Sequence, residues 1–202
     1  PAFHDRHLPR LPQPSSTSLV LERVARVPEV DGVDATRRIN HARAVPGRPR
    51  ALAVPDLDGV VHLVVGRGTG RRVVPWLDVR EVFDDLVLAP SQGTGLGFVA
   101  FAPDYAASGR FWTVHTEAGA ALTTREPTLP SPADAVVHGV VTEWVADDPA
   151  ADRFTGTHRE VLRIGFGTHL HGIQQIDVDP TARPGDPDRG LLYVAVGDGD
   201  EV

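Results

Sequence analysis

Short runs of apolar residues alternate with turn residues along most of the chain, and the same form occurs three times. Each copy has an apolar run, a proline–aspartate turn, a glycine and a second apolar run. The pairs are residues 51–56 with 60–66, 97–104 with 110–116, and 173–180 with 191–197. Proline fits where a strand needs no backbone donor, and glycine fits where the chain reverses. The pattern predicts three antiparallel strand pairs, about 50 and then about 75 residues apart.

Further apolar runs predict strands before and between these pairs, at residues 19–27, 72–77, 81–88, 136–144 and 160–164. Residues 31–49 predict a loop with one helical turn near Ala35, and no segment of convincing length has a helical period. Repeated antiparallel units in an all-β chain favour a β-propeller. At about 40 to 50 residues a blade, the length predicts an incomplete set of about four blades. Residues 1–18 are predicted to be a flexible N-terminal arm, and residues 19–202 the partial propeller.

Composition narrows the possible functions. The formal net charge of −7, with no stripe of lysine or arginine, argues against nucleic-acid binding. The absence of cysteine excludes disulfides, thiolate zinc sites and cysteine nucleophiles. No apolar run is long enough to span a bilayer. The chain begins without an initiator methionine or an apolar signal core, so a mature form or a piece of a longer chain is expected.

Two histidines, His169 and His171, lead into the strand-like run that starts near residue 173. If they lie in a strand, they face the same way and could converge on a metal, with His138 and Glu143 as candidate further ligands. One of them could instead act as a base on a substrate near neutral pH. The third interpretation is a pair of polar side chains bonded to backbone or water at a strand entrance.

Two acid–glycine turns also hint at a cation. They are Asp56-Leu57-Asp58-Gly59 and Asp198-Gly199-Asp200-Glu201. Neither supplies the full set of spaced ligands that calcium loops use. The simpler interpretation is that both are surface turns.

Four segments, in order and spacing, resemble the quinoprotein glucose/sorbosone dehydrogenase family. They are residues 74–79, residues 95–105 with 109–111, residues 142–144 with 159–164, and residues 168–180 with 192–194 and 197–199. The likeness covers roughly residues 50 to 202. Members of that family are soluble, six-bladed β-propellers that use pyrroloquinoline quinone (PQQ) and calcium.

The resemblance implies that the chain oxidises an aldose or a related hydroxyl compound. In the family, a histidine at the head of this strand takes the proton from the anomeric hydroxyl, and hydride passes to the quinone. His169 matches that histidine, because Gly172 follows at the family's spacing, and Gly172 is expected at the cofactor. Gln92, displaced by one residue from a family glutamine, is expected to contact the sugar, together with Thr168 and His171.

The resemblance also implies an external electron acceptor and a periplasmic or secreted location. The family's arginine–asparagine pair, its calcium ligands and most of its quinone contacts have no counterpart in the 202 residues. The expectation is therefore a fragment of a longer enzyme or a protein degenerated from one. The alternative function is a non-catalytic propeller that binds a carbohydrate or a protein partner.

Overall fold

A computed structural model describes residues 16–28, 39–88, 93–119, 126–132 and 134–199, and for Gln174 only the backbone. The first sheet contains β1 (Arg43–Ala44), β2 (Ala51–Asp56), β3 (Val60–Val65) and β4 (Arg72–Asp78). The second contains β5 (Phe98–Phe101), β6 (Arg110–Ala118), β7 (Val137–Ala146) and β8 (Gly156–Phe166). The third contains β9 (Ile173–Val178) and β10 (Leu192–Val196). Within each sheet, strands that follow one another in sequence pair antiparallel.

Helix is confined to single turns in the described residues: α1 (Tyr105–Ser108) and two 3₁₀ turns at Gly68–Gly70 and Val79–Glu81. None of the described helices is long and apolar enough to cross a membrane. The predicted all-β class and the partial β-propeller are confirmed. The expected number of about four blades is too high for the described residues, which form two four-stranded sheets and one two-stranded sheet. The difference arises because the first strand begins only at Arg43 and long connections separate the sheets.

The second sheet packs against a neighbouring sheet on each face. Alternate side chains along its strands point to opposite faces, so each strand contributes to both contacts. Phe111 of β6 packs in a cluster shared with the first sheet, where its ring centroid lies 4.8 Å from that of Trp76 and 6.1 Å from that of Trp144. The next residue, Trp112, packs on the opposite face in a cluster shared with Ile176 and other residues of the third sheet. The core therefore consists of two layers with the second sheet between them.

An ion pair links the innermost strands of the first and third sheets. Arg43 of β1 donates from Nη1 to Asp177 Oδ1 at 2.7 Å, and its Nη2 contacts Asp177 Oδ2. Asp177 lies on β9, which also packs against β5 of the second sheet. A bidentate arginine–carboxylate pair restrains orientation as well as distance, so the pair fixes the first sheet relative to the third.

The first strand pair forms as its sequence predicts. β2 and β3 pair from Ala51↔Val65 to Asp56↔Val60. Gly59 closes the turn with a φ of 104°, a left-handed conformation that favours glycine. The interpretation of this turn as a surface turn is wrong, because Asp56 and Asp58 are buried. The backbone N–H of Asp58 donates to Asp56 Oδ1 at 3.1 Å, which uses part of that carboxylate's capacity inside the protein.

Two of the predicted strands do not form. The segment around Leu19, Val20 and Leu21 is extended but lies outside every sheet, and these side chains are 87%, 92% and 93% exposed. An apolar run becomes a strand only where a neighbouring strand completes its hydrogen bonds. Residues 81–88 instead follow a 3₁₀ turn in which Val79 O accepts from Val82 N and Phe83 N, with one isolated bridge at Leu86.

The remaining predicted strands form at nearly the expected positions, although β8 begins at Gly156 rather than near residue 160. Its early residues pair with the end of β7 while remaining exposed, so they carry no apolar alternation that the sequence could reveal. The predicted helical turn near Ala35 and most of the predicted arm at 1–18 lie outside the described residues.

Candidate functional site

A small cavity of about 60 Å³ lies between the second and third sheets. Strands β5, β6 and β7 supply one wall through Phe98, Val114, Thr116, Val137 and Gly139. The loop of residues 93–97 and the loop of residues 167–172 supply the opposite walls. The polar side chains of the lining carry hydroxyl, amide and imidazole groups, from Asn40, Thr94, Thr116, Thr168 and His169.

The two loops meet at a glycine. A Cβ at Gly93 would lie 2.8 Å from the carbonyl oxygen of His169, which is closer than real Cβ atoms approach. Any larger residue at 93 would therefore push the His169 loop away. Gly95 is held in the same way, since its Cβ would lie 2.1 Å from Leu57 O and its φ is 94°. Close backbone contact is the physical reason for the glycine-rich pattern before β5.

Thr168 holds the His169 loop on its other side. Its Oγ1 donates to Gly199 O at 2.8 Å and accepts from Leu170 N at 3.1 Å. The hydroxyl therefore joins the loop before β9 to the turn after β10, and also bridges across His169 within its own loop.

His169 is half-buried, and it lines the cavity with Thr168 and Gly172. The structure thus brings these three sequence-predicted residues to one cavity. Gly172 O accepts from Gly197 N at 2.8 Å, so its backbone joins the loop to the turn that follows β10. Gln92, the predicted sugar contact, lies outside the described residues.

His171 does not continue a strand from His169. Residues 167–172 are irregular, β9 begins only at Ile173, and His171 has a φ of 50°. The expectation that the two side chains face the same way is therefore wrong, because strand alternation does not apply to this loop. The His171 imidazole donates from Nδ1 to Asp198 Oδ1 at 3.1 Å, and both side chains are mostly exposed. His171 is not among the residues that line the cavity.

The metal hypothesis finds no support in the residues that the structure describes, which bring no three histidine, aspartate or glutamate side chains together as ligands. Glu143 accepts from Arg159 Nε at 2.8 Å on the outer part of the second sheet. His138 is buried on β7, where it is paired in register with Glu117 of β6.

The sequence interpretation missed a buried ionic network on the second sheet, formed by His115, Glu117, Glu160 and Arg163. Nε2 of His115 lies 3.0 Å from Glu117 Oε1. Arg163 donates from Nη2 to Glu117 Oε2 at 2.8 Å and from Nε to Glu160 Oε1 at 2.8 Å. Phe83 stacks on the His115 ring, with 4.2 Å between the ring centroids. Part of the signal was present in the sequence, because His115 and Glu117 are two residues apart and so share one face of a strand.

Burial and neighbouring charges shift the pKa values of this network in opposite directions. Burial alone would raise the pKa of Glu117, but hydrogen bonds from His115 and Arg163 outweigh it and hold that pKa at about 2. Burial lowers the pKa of His115 despite the opposing effect of Glu117, and burial together with Arg163 lowers the pKa of His138. Glu117 and Arg163 are therefore a charged pair at neutral pH, and His115 is neutral beside them.

The arrangement of sheets has a counterpart among solved structures. A solved glucose dehydrogenase superposes with a TM-score of 0.53 and 17% sequence identity, over 83% of this chain and 42% of that chain. The chain shares the fold of that glucose dehydrogenase. The propeller resemblance drawn from the sequence is thereby confirmed for the fold. The chain spans less than half the length of the enzyme that it matches.

Two further structures give weaker superpositions. The PQQ-bound aldose sugar dehydrogenase of Streptomyces coelicolor has a TM-score of 0.48 and 16% identity, over 82% of this chain and 43% of that chain. The soluble aldose sugar dehydrogenase of Escherichia coli, in its apo-form, has a TM-score of 0.48 and 16% identity, over 82% and 42%. No protein-family model and no curated protein matches the sequence.

The described cavity does not by itself fit PQQ. At about 60 Å³ it is well below the roughly 300 to 1,000 Å³ of ordinary small-molecule pockets. PQQ carries three carboxylates, and the described lining offers no lysine or arginine to pair with them. The hydroxyl, amide and imidazole groups of the lining can contact a hydroxyl compound, but the cavity is also smaller than a sugar, so the described residues form only one side of such a site.

Proposed function

We propose that this chain forms the sugar-binding, proton-accepting part of a PQQ-dependent sugar dehydrogenase, with His169 as the general base. The observation that carries the proposal is the position of His169 in the wall of the cavity between the second and third sheets. The fold, which is shared with a glucose dehydrogenase, supports it. A periplasmic or secreted location and an external electron acceptor belong to the same proposal and rest on the sequence resemblance.

In this proposal the residues of the chain bind and deprotonate the sugar. Oxidation at the anomeric carbon removes a proton from the hydroxyl and a hydride from the carbon. An imidazole suits the first task near neutral pH, because its ordinary pKa lies close to that range. The uncharged lining leaves the imidazole as the cavity's one basic side chain among the described residues.

Acceptance of the hydride is assigned to groups outside the described residues. PQQ is the acceptor that the sequence resemblance implies, and calcium is the ion that accompanies it in that family. Neither has a set of ligands among the residues that the structure describes. The proposal therefore concerns the sugar-facing half of the site.

The test is an assay of aldose-dependent dye reduction with added PQQ and calcium, on the chain or on the longer polypeptide that contains it. We expect His169→Asn to lower turnover by about 10² to 10⁴-fold, the usual contribution of a general base. His171→Asn is the comparison, because it removes the neighbouring imidazole that contacts Asp198 instead of the cavity. Thermal melting of both variants checks that they fold.

The two variants give distinguishable outcomes. Normal turnover in His169→Asn would remove His169 from the role of base, and loss confined to His171→Asn would transfer that role to His171. Turnover that is absent with PQQ and calcium both from the chain and from any longer polypeptide that contains it would remove the enzyme function altogether.

A second function is favoured by the hydroxyl, amide and imidazole groups that line the cavity: binding of a carbohydrate without chemistry. Calorimetric titration with neutral aldoses separates the two functions. Sugar binding that is retained without dye reduction would support the binding module, whereas sugar-dependent dye reduction would exclude it.

A further inference from the structure

We propose that Thr168 is a positioning residue, whose hydroxyl fixes the backbone of His169 and does not donate to the substrate. The inference deepens the proposed function. Its activity measurement rests on that function, whereas its structural measurement does not. It starts from the two hydrogen bonds of one side chain, to Gly199 O at 2.8 Å and from Leu170 N at 3.1 Å.

A threonine hydroxyl has one proton to donate and two lone pairs with which to accept. The proton of Thr168 is committed to Gly199 O, and one lone pair is committed to the backbone N–H of Leu170. A sugar hydroxyl would have to displace one of these bonds to receive a proton from Thr168. The sequence predicted a sugar contact at Thr168, but the proton that the hydroxyl could donate to a sugar is already used within the protein.

The bond to Leu170 N has a specific geometric consequence. It joins the side chain of residue 168 to the backbone of residue 170, so it closes a small ring around the two peptide groups that flank His169. Such a local bond competes with other backbone conformations and selects one turn. Because the accessible rotamers of a side chain depend on its backbone torsions, the bond also restricts where the imidazole can point.

The surrounding contacts restrain the loop as a body but do not replace this bond. Gly93 lies against His169 O, and Gly197 lies so close to His171 O that a Cβ there would be 2.2 Å from it. Gly199 N donates to His171 O at 3.2 Å. These contacts fix the carbonyl groups of His169 and His171, whereas Thr168 alone bridges across His169 with a side chain among the described contacts.

The test compares Thr168→Val, which keeps the shape and loses the hydroxyl, with Thr168→Ser, which keeps the hydroxyl. Thr157→Val is the matched control, because Thr157 is an exposed residue of β8 away from the cavity. The first measurement is hydrogen exchange of the Leu170 amide. Loss of one ordinary hydrogen bond predicts that the Leu170 amide exchanges about 3 to 10-fold faster in Thr168→Val. Thr168→Ser and Thr157→Val keep the bond, so their exchange should match that of the wild type.

The second measurement is dye-linked turnover, with KM and kcat separated. Loss of positioning predicts a kcat lowered about 10-fold or more with KM changed less than about 2-fold, since a small displacement of a base is costly. Thr168→Ser is expected to restore kcat. A substrate contact would instead raise KM in Thr168→Val, and this result would overturn the proposal.

The two measurements separate failure of this proposal from failure of the proposed function. Unchanged Leu170 exchange in Thr168→Val would overturn the positioning role, whatever the activity. Faster exchange with no dye reduction in any form of the protein would support the positioning of the His169 loop and refute the dehydrogenase.

Discussion

The cavity beside His169 and the buried network around Arg163 are two polar regions of the same second sheet, and they are organised in opposite ways. The cavity presents hydroxyl, amide and imidazole groups held by backbone contacts between loops. The network holds charged groups in ion pairs that are mostly buried. Buried charges are tolerated only when they are paired. The comparison indicates that the network serves the fold and that the cavity is the region available to a ligand.

The largest change in unfolding free energy is expected when the buried network around Arg163 is broken. Arg163→Met would leave Glu117 and Glu160 without their shared cation, and removing one partner of a buried pair costs roughly 3–5 kcal/mol of unfolding free energy. Urea unfolding measures this loss. Arg159→Met is the matched control, because Arg159 pairs with Glu143 at the surface and its removal is expected to change stability far less. Equal losses in the two variants would contradict the comparison.

Acid should weaken the network next. The pKa of Glu117 is about 2 in the folded protein against an ordinary 4.5, so its stabilisation is present above about pH 4.5 and is lost as pH falls towards 2. The lowered pKa of His115 adds a loss as pH falls below 6.5, because the unfolded chain takes up that proton first.

Urea unfolding across this range should show a decline on the order of 2–3 kcal/mol between pH 4.5 and pH 2 from Glu117. Glu117→Gln should be less stable at neutral pH and should flatten the acid part of the profile. A variant whose profile matches that of the unmodified protein would show that Glu117 is not the group responsible.

The smallest change in unfolding free energy is expected for a substitution in the cavity wall. His169→Asn removes a half-buried imidazole that belongs to no ion pair in the described structure, so the unfolding free energy should change by no more than roughly 0.5 kcal/mol. The same variant carries the largest predicted loss of turnover. A destabilisation comparable to that of Arg163→Met would make His169 a structural residue and would remove the contrast between the two regions.

Sequence pattern sufficed for the strands whose apolar alternation is strong. The pair 51–56 and 60–66 combines such alternation with the turn glycine Gly59, and it forms β2 and β3 almost to the residue. It failed for residues 19–27, which have the composition of a strand but no neighbouring strand among the described residues. Pairing is a tertiary property, and a single run of residues does not contain it.

The candidate site was only partly predictable for a similar reason. The sequence placed His169, Thr168 and Gly172 together because they are neighbours in one loop. It misplaced His171, because a φ of 50° at a non-glycine residue depends on the contacts of that loop with Asp198 and Gly199. The network was missed because two of its partners are distant in sequence, with Arg163 46 positions after Glu117.

The two-layer core also gives the protein a built-in optical probe. Its three tryptophans are all buried, and they are divided between the layers. Trp76 and Trp144 belong to the layer between the first and second sheets, and Trp112 belongs to the layer next to the cavity. Replacing Trp76 and Trp144 by phenylalanine would leave an intrinsic fluorescence signal from the cavity-side layer alone, so separation of the third sheet from the second could be followed without any added label.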